Sequence, residues 1–314
     1  MRLAILFSGQ GNQQPAHFDA LRQGAAPELG AALAAAIPET WSSAAPSVAE
    51  LQANRVAQPL IFACQMHLWR QLQPALPRPV AVAGYSLGEM AACCAAGAFP
   101  LEAGVALCAQ RAALMDACVA GSAGLLAVLG LRAEAVAELA ARCGLMVAIR
   151  NGPDHFVLGG HAAGLAEAEQ LAQAAGASRV VRLGVGTPSH TPLLAAASAG
   201  FAPLLAPASA GFAPLLAPHR SGRLAFPVFS AIDGRAARTA ADGMDALARQ
   251  ISTPLDWDAC LGAVLEMQPD VVLEIGPGNA LARMWGERDS GVPVRASDDF
   301  RSAAGIIDWV NARG

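Results

Sequence analysis

The chain has 314 residues, enough for more than one domain, and its 54% hydrophobic and 15% charged residues describe a compact protein with a core rich in Ala, Leu and Val. A net charge of −4 gives no electrostatic reason to expect nucleic acid or an anionic membrane as partner, so small molecules or proteins fit better. All 21 basic residues are Arg, which excludes a P-loop ammonium, a lysine Schiff base and a Ser-Lys dyad, since each needs an amine.

Arg2–Phe7 reads as a buried strand ended by the turn Gly9-Gln10-Gly11. The apolar run Leu3–Phe7 is too short for a signal-peptide core, so a cytoplasmic protein is expected. Pro79–Ala83 reads as a second strand, and Gly84-Tyr85-Ser86-Leu87-Gly88 separates it from the helical run Glu89–Ala96. Two glycines around a serine, between strand and helix, form the nucleophile-elbow pattern, which exposes the hydroxyl at the positive end of the helix. Taken alone, Gly-x-Ser-x-Gly also fits an ordinary tight turn, and Arg111, on a helix further on, also fits a surface position.

The middle of the chain has another rhythm. Leu125–Leu129 reads as strand, Ala133–Cys143 as helix, Met146–Arg150 and Phe156–Gly159 as strands, Gly164–Ala175 as helix and Arg179–Leu183 as strand. This is the βαββαβ order of a ferredoxin-like module. Thr187-Pro188-Ser189-His190 follows, where the chain re-enters the larger part beside a cleft. Of the six histidines, His67 reads as a helix residue and His17, His155, His161 and His219 as turn or surface positions, which leaves His190 as the candidate base for Ser86.

The segment ASAGFAPLLAP occurs at 197–207 and again at 208–218; Pro203, Pro207 and Pro214 predict a loop or broken helix there. Residues 183–219 contain no Asp, Glu or Arg, but six prolines, two histidines and several Ser and Thr stop them from reading as a membrane span. Val271–Ile275 is a further strand, followed by Gly276-Pro277-Gly278 and the helical Asn279–Trp285. The seven cysteines show no CxxC pair, so buried reduced thiols and no metal site are expected.

The fold expected is therefore α/β: an α/β-hydrolase-like large domain with a parallel sheet, residues 1–120 and 188–314, and an inserted ferredoxin-like (βαββαβ) small domain, residues 121–187.

Seven motifs in order resemble the malonyl-CoA:acyl-carrier-protein transacylases and the related acyltransferase domains of fatty-acid and polyketide synthases. They are Phe7-Ser8-Gly9-Gln10-Gly11-Asn12-Gln13, Gly84-Tyr85-Ser86-Leu87-Gly88-Glu89, Gln110-Arg111, Asn151-x-Pro153, Pro188-Ser189-His190, Arg249-Gln250 with Pro254 and Trp257, and Glu274-Ile275-Gly276-Pro277-Gly278. Within that family the likeness is greatest to the epsilon subunit of malonate decarboxylase, which serves the complex's own carrier subunit. The resemblance implies Ser86 as the residue acylated, His190 as general base and the backbone N–H groups of Gln10 and Leu87 as oxyanion hole. It implies Arg111 on the free carboxylate of the malonyl group, with Gln250 and Asn151 in supporting places. The partners implied are malonyl-CoA and an acyl carrier protein, with no cofactor. Two residues depart from the family: Tyr85 replaces the histidine that commonly precedes the nucleophile, and Ser8 replaces the usual proline. Three other readings stand beside a transferase that serves malonate decarboxylase: the fatty-acid-synthesis malonyl transacylase; an α/β-hydrolase-type thioesterase, whose fold brings an Asp or Glu between Ser and His; and a non-catalytic carrier-docking subunit.

Overall fold

The computed structural model describes residues 1–212, 222–288 and 290–313. In chain order its strands are β1 (Leu3–Phe7), β2 (Ala81–Gly84), β3 (Ala123–Leu129), β4 (Met146–Arg150), β5 (His155–His161), β6 (Arg179–Arg182), β7 (Arg223–Phe229), β8 (Ala236–Thr239), β9 (Leu255–Asp256), β10 (Val271–Ile275) and β11 (Val294–Ala296).

Six of them form one sheet in the order β11-β10-β1-β2-β7-β8, parallel except for the antiparallel edge pair β7–β8. Apart from Glu274 in β10, the central strands are apolar because both faces are covered and successive side chains point to opposite faces. Leu3, Ile5, Phe7, Leu273 and Ile275 enter one core, with the helices Asn54–Leu72 and Leu101–Ala117. Ala4, Leu6, Ala81, Ala83 and Val272 enter a second core on the other face, with Trp257, Leu261 and Trp285.

The other strands form a sheet in the order β6-β3-β5-β4-β9. Its first four strands are mutually antiparallel, and the chain supplies them with the helices Ala133–Arg142 and Ala162–Ala174 in βαββαβ order. Leu126, Val128, Phe156 and Leu158 face those helices, whereas Leu125, Ala127, Ile149 and Val157 join the second core of the large sheet. The edge strand β9 pairs parallel to β4 and comes from the region after the expected insert. The small sheet is thus clasped by a strand from the part of the chain it packs against.

The helix Ala195–Phe212 corrects the expectation of a break at Pro203 and Pro207. Ala197, Phe201 and Leu205 recur every four residues and are all buried, while Pro203 lies on the exposed side. That stripe of burial offsets the roughly 3 kcal/mol a proline costs inside a helix. Residues 213–218 of the second copy, with Pro214, and His219 lie outside the described residues. His17 belongs to the helix Pro15–Gly24, and His155 and His161 are the two ends of β5; His161 is exposed, as expected, whereas His17 and His155 are half-buried in regular elements. Among the described residues, no helix is long and apolar enough to cross a membrane.

Candidate active site

The loops after β1 and β2 meet at the C-terminal edge of the large sheet, where open α/β sheets place their ligands. A Cβ on Gly84 would lie 2.1 Å from Glu89 N, and a Cβ on Gly88 would lie 2.1 Å from Phe7 O. The helix Gly88–Ala95 therefore starts in direct backbone contact with the end of β1. Between the two glycines, Ser86 is held at φ +53°, a left-handed conformation that costs a non-glycine residue on the order of 1–3 kcal/mol. The strained turn lifts the hydroxyl off the sheet edge.

Buried His190 meets that hydroxyl. Its Nε2 lies 2.8 Å from Ser86 Oγ and its Nδ1 lies 2.5 Å from the carbonyl oxygen of Gln250. A carbonyl only accepts, so Nδ1 carries the proton and donates it there, which leaves Nε2 as an acceptor for the Ser86 hydroxyl. Gln250 ends the helix Ala240–Arg249, where terminal carbonyls lack helical partners and carry the negative end of the dipole. The His190 backbone N–H donates to Ile251 O at 2.9 Å, fixing the residue at φ +64°. Burial pushes the imidazole down to about 3; the Gln250 carbonyl opposes that shift and Arg111 adds to it. The ring is a neutral acceptor at physiological pH.

Arg111 is fully buried on the helix Leu101–Ala117, contrary to the surface position that a lone helical arginine suggests. Its Nη1 donates to Gln58 Oε1 at 2.8 Å and its Nη2 to Gln250 Oε1 at 3.3 Å, while its Nε has no hydrogen-bond partner. Burial lowers the guanidinium to about 10, still charged near neutrality. The side-chain amide of Gln250 donates from Nε2 to Ser86 O at 2.9 Å and to Glu89 Oε2 at 3.3 Å. Gln250 thus ties the serine, the histidine and the arginine together, a role invisible in sequence beyond the Arg249-Gln250 motif. Gln58 was missed; the signal was an amide inside the apolar run Ala57–Ala63.

Of the remaining expected residues, Gln10 and Asn151 line a cavity, and Leu87 is buried behind Ser86. Leu87 N caps the helix Gly88–Ala95, and Gln10 N lies in the loop after β1, where a Cβ on Gly9 would come within 2.9 Å of Tyr85 O. Neither N–H donates to a protein backbone carbonyl among the described residues. Gln65 Nε2 donates to Ser8 O at 2.7 Å and holds the start of that loop, a second amide missed in sequence. Asn151 stands in the cleft wall with its Oδ1 unpartnered and its Nδ2 3.3 Å from His155 Nε2; it makes no hydrogen bond to Ser86 or His190. Tyr85 stacks edge-on against Trp257 with ring centroids 5.2 Å apart and lines a cavity of about 280 Å³. Gln10 and Asn151 share that cavity with Ala127 and Val157 of the small sheet. Among the described residues no cluster of three His, Cys, Asp or Glu could hold a metal ion, and all seven cysteines are free thiols.

A serine on a strained elbow, hydrogen-bonded to a neutral imidazole whose other nitrogen is fixed, is the equipment of acyl transfer through a covalent serine ester. The chain belongs to the acyl transferase domain family, whose profile matches residues 6–285. It is 33% identical to the malonyl CoA-acyl carrier protein transacylase of Mycobacterium tuberculosis, covering 98% of this chain and 99% of the relative. It is 29% identical to that of Salmonella typhimurium, over 89% and 90% of the two chains. Among solved structures, the malonyl-CoA:acyl carrier protein transacylase of Xanthomonas oryzae pv. oryzae superposes with a TM-score of 0.84 at 29% identity, covering 98% of each chain. A malonyl-transacylase in complex with its type II polyketide acyl-carrier protein superposes with a TM-score of 0.83 at 26% identity, covering 98% of this chain and 99% of that one.

Proposed function

We propose that this chain is a malonyl-CoA:acyl-carrier-protein S-malonyltransferase that works through a malonyl ester of Ser86. The observation that carries the reading is the joined set of Ser86, His190 and buried Arg111 around Gln250. Ser86 Oγ attacks the thioester carbonyl while its proton moves to His190 Nε2. The negative oxygen is received by the N–H groups of Gln10 and Leu87, each such donor contributing about 3 kcal/mol. The C–S bond then breaks, and His190 gives its proton to the departing thiolate. The carrier thiol returns by the same route: its proton goes to His190 Nε2, its sulfur forms the new thioester, and the proton ends on Ser86 Oγ.

Arg111 supplies the selectivity. Its buried, unpartnered Nε–H is a donor that a substrate carboxylate satisfies and an acetyl group leaves unmet. A thioesterase of the α/β-hydrolase type would bring a carboxylate to the histidine, and here the Gln250 carbonyl takes that position.

The fold reading follows the same line. The large sheet with residues 1–120 and 188–314 is an α/β-hydrolase-like domain, and residues 121–187 are a ferredoxin-like insert, supported by the order β6-β3-β5-β4. The acceptor proposed is an acyl carrier protein, as in the names of the relatives above. The malonate decarboxylase carrier subunit, expected from the sequence likeness, is the second acceptor to assay.

The test is transfer of label from malonyl-CoA to a purified holo-carrier, with the two substrates varied together. Parallel double-reciprocal lines support the covalent route. Intersecting lines, or release of free malonate without carrier loading, contradict it.

A further inference from the structure

Glu89 closes the elbow motif and, among the described residues, is the one carboxyl group buried beside Ser86. The residue is 1% exposed, and its Oε2 accepts from the Ala231 backbone N–H and from Gln250 Nε2, both at 3.3 Å. Arg111 stands on the other side of the same amide, whose Oε1 accepts from Nη2 at 3.3 Å. A buried cation and a buried carboxyl group are thus bridged by one side chain without touching.

Building on the reading of Arg111 as the malonyl clamp, we infer that Glu89 is a positioning residue that admits the malonyl carboxylate only as the neutral acid: when ionised it balances Arg111 itself, and substrate binding then draws a proton from solvent onto it. The physical reason is a charge count. A dry pocket with one guanidinium stabilises one carboxylate, and two carboxylates around it disfavour each other. The substrate carboxylate is fixed in its negative form, so the enzyme's own group takes up the proton.

The surroundings of Glu89 suit that exchange. Burial pushes its carboxyl up to about 8, against the pull of the Ala231 amide, Ser230 and Arg111. The other groups that face it are Asp233 in the β7–β8 turn, Cys93 on its own helix and Cys260 on the helix Trp257–Glu266. Both thiols are raised well above 9.0. With His190 near 3 and Arg111 near 10, Glu89 is the group of this cluster poised to change charge between pH 7 and 9.

Binding that takes up a proton weakens as pH rises through the pKa of the free enzyme. The experiment is single-turnover acylation of Ser86 under kcat/KM conditions, from pH 6.5 to 9.5, with malonyl-CoA and acetyl-CoA in parallel. In the wild type the malonyl rate constant is expected to fall about tenfold above pH 8, while the acetyl rate constant stays level within about twofold. Glu89→Gln, which keeps an acceptor for Ala231 and Gln250, is expected to flatten the malonyl profile. Malonyl and acetyl profiles that run parallel in the wild type overturn the inference without any variant. A malonyl limb that persists in Glu89→Gln also overturns it. Arg111→Ala separates the two claims: if that variant keeps its malonyl preference, the clamp reading fails and this inference with it. If the preference is lost but the wild-type malonyl profile is flat, only the inference about Glu89 fails.

Discussion

The carbonyl oxygen of Gln250 receives the Nδ1 proton of His190 where a carboxylate would complete a triad. A neutral acceptor fixes the tautomer without stabilising the imidazolium by a full charge. Such a dyad suits thioesters, whose thiolate leaves readily.

The pH behaviour of the base follows from that geometry. Because His190 stays neutral down to about 3, acylation by acetyl-CoA should run at pH 5.5 within about twofold of its rate at pH 7. Stability moves the other way. A folded pKa below the usual 6.5 means that the unfolded chain binds the extra proton, so His190 lowers stability as pH falls from about 6.5 toward 3. Rate measurements and thermal melts between pH 5 and 7.5 check both, and an acylation limb centred at 6.5 contradicts the buried neutral base.

Arg111→Ala should lower malonyl acylation by about 10- to 100-fold, the worth of a charge-assisted hydrogen bond, with a much smaller effect on acetyl. Arg111→Lys should restore malonyl transfer only in part, since an ammonium cannot reproduce the fork. Paired kcat/KM values for the two acyl donors decide this, and equal losses would remove Arg111 from the recognition of the carboxylate.

Gln250→Ala keeps the backbone carbonyl that holds His190 but deletes the amide that joins Arg111, Ser86 O and Glu89. The buried groups left unmet should cost about 1–3 kcal/mol each in stability. Malonyl acylation should fall by about tenfold or more while the pH profile of acetyl transfer keeps its shape. Denaturant melts with parallel kinetics measure the two effects, and a variant as stable and selective as the wild type would deny the amide its bridging role.

The two elbow glycines should tolerate nothing larger. Gly88→Ala forces a Cβ to 2.1 Å from Phe7 O, a backbone clash that no rotamer relieves, whereas Gly97→Ala, at φ +87° with nothing within 4 Å, bears only the conformational cost of about 1–2 kcal/mol. Thermal melts should show Gly88→Ala as much the more damaging of the pair, and equal melting temperatures would contradict the close packing of the helix on β1.

How far the sequence reveals this arrangement depends on the range of the forces involved. β1, β2 and β10 are legible because strands buried on both faces are nearly continuous apolar runs, broken here only by Glu274, and the glycine–serine–glycine turn is legible because close backbone approach demands those residues. The strands β3 to β6 fall within a few residues of their expected positions for the same local reasons. The edge strand β9 is only two residues long, and pairing with β4 across about a hundred positions leaves no local pattern. Burial of Arg111 is equally silent, because its partners Gln58 and Gln250 come from two distant helices. The helix Ala195–Phe212 runs through two prolines because its buried stripe outweighs their propensity.

The most direct test of the account is rapid mixing with labelled malonyl-CoA, acid quench and peptide mapping of the enzyme by mass spectrometry. The account predicts one malonyl group per chain on the peptide containing Ser86, absent in Ser86→Ala and formed slower by orders of magnitude in His190→Ala. Wild-type protein that turns over malonyl-CoA without an acylated Ser86, or a label that survives in Ser86→Ala, would contradict it.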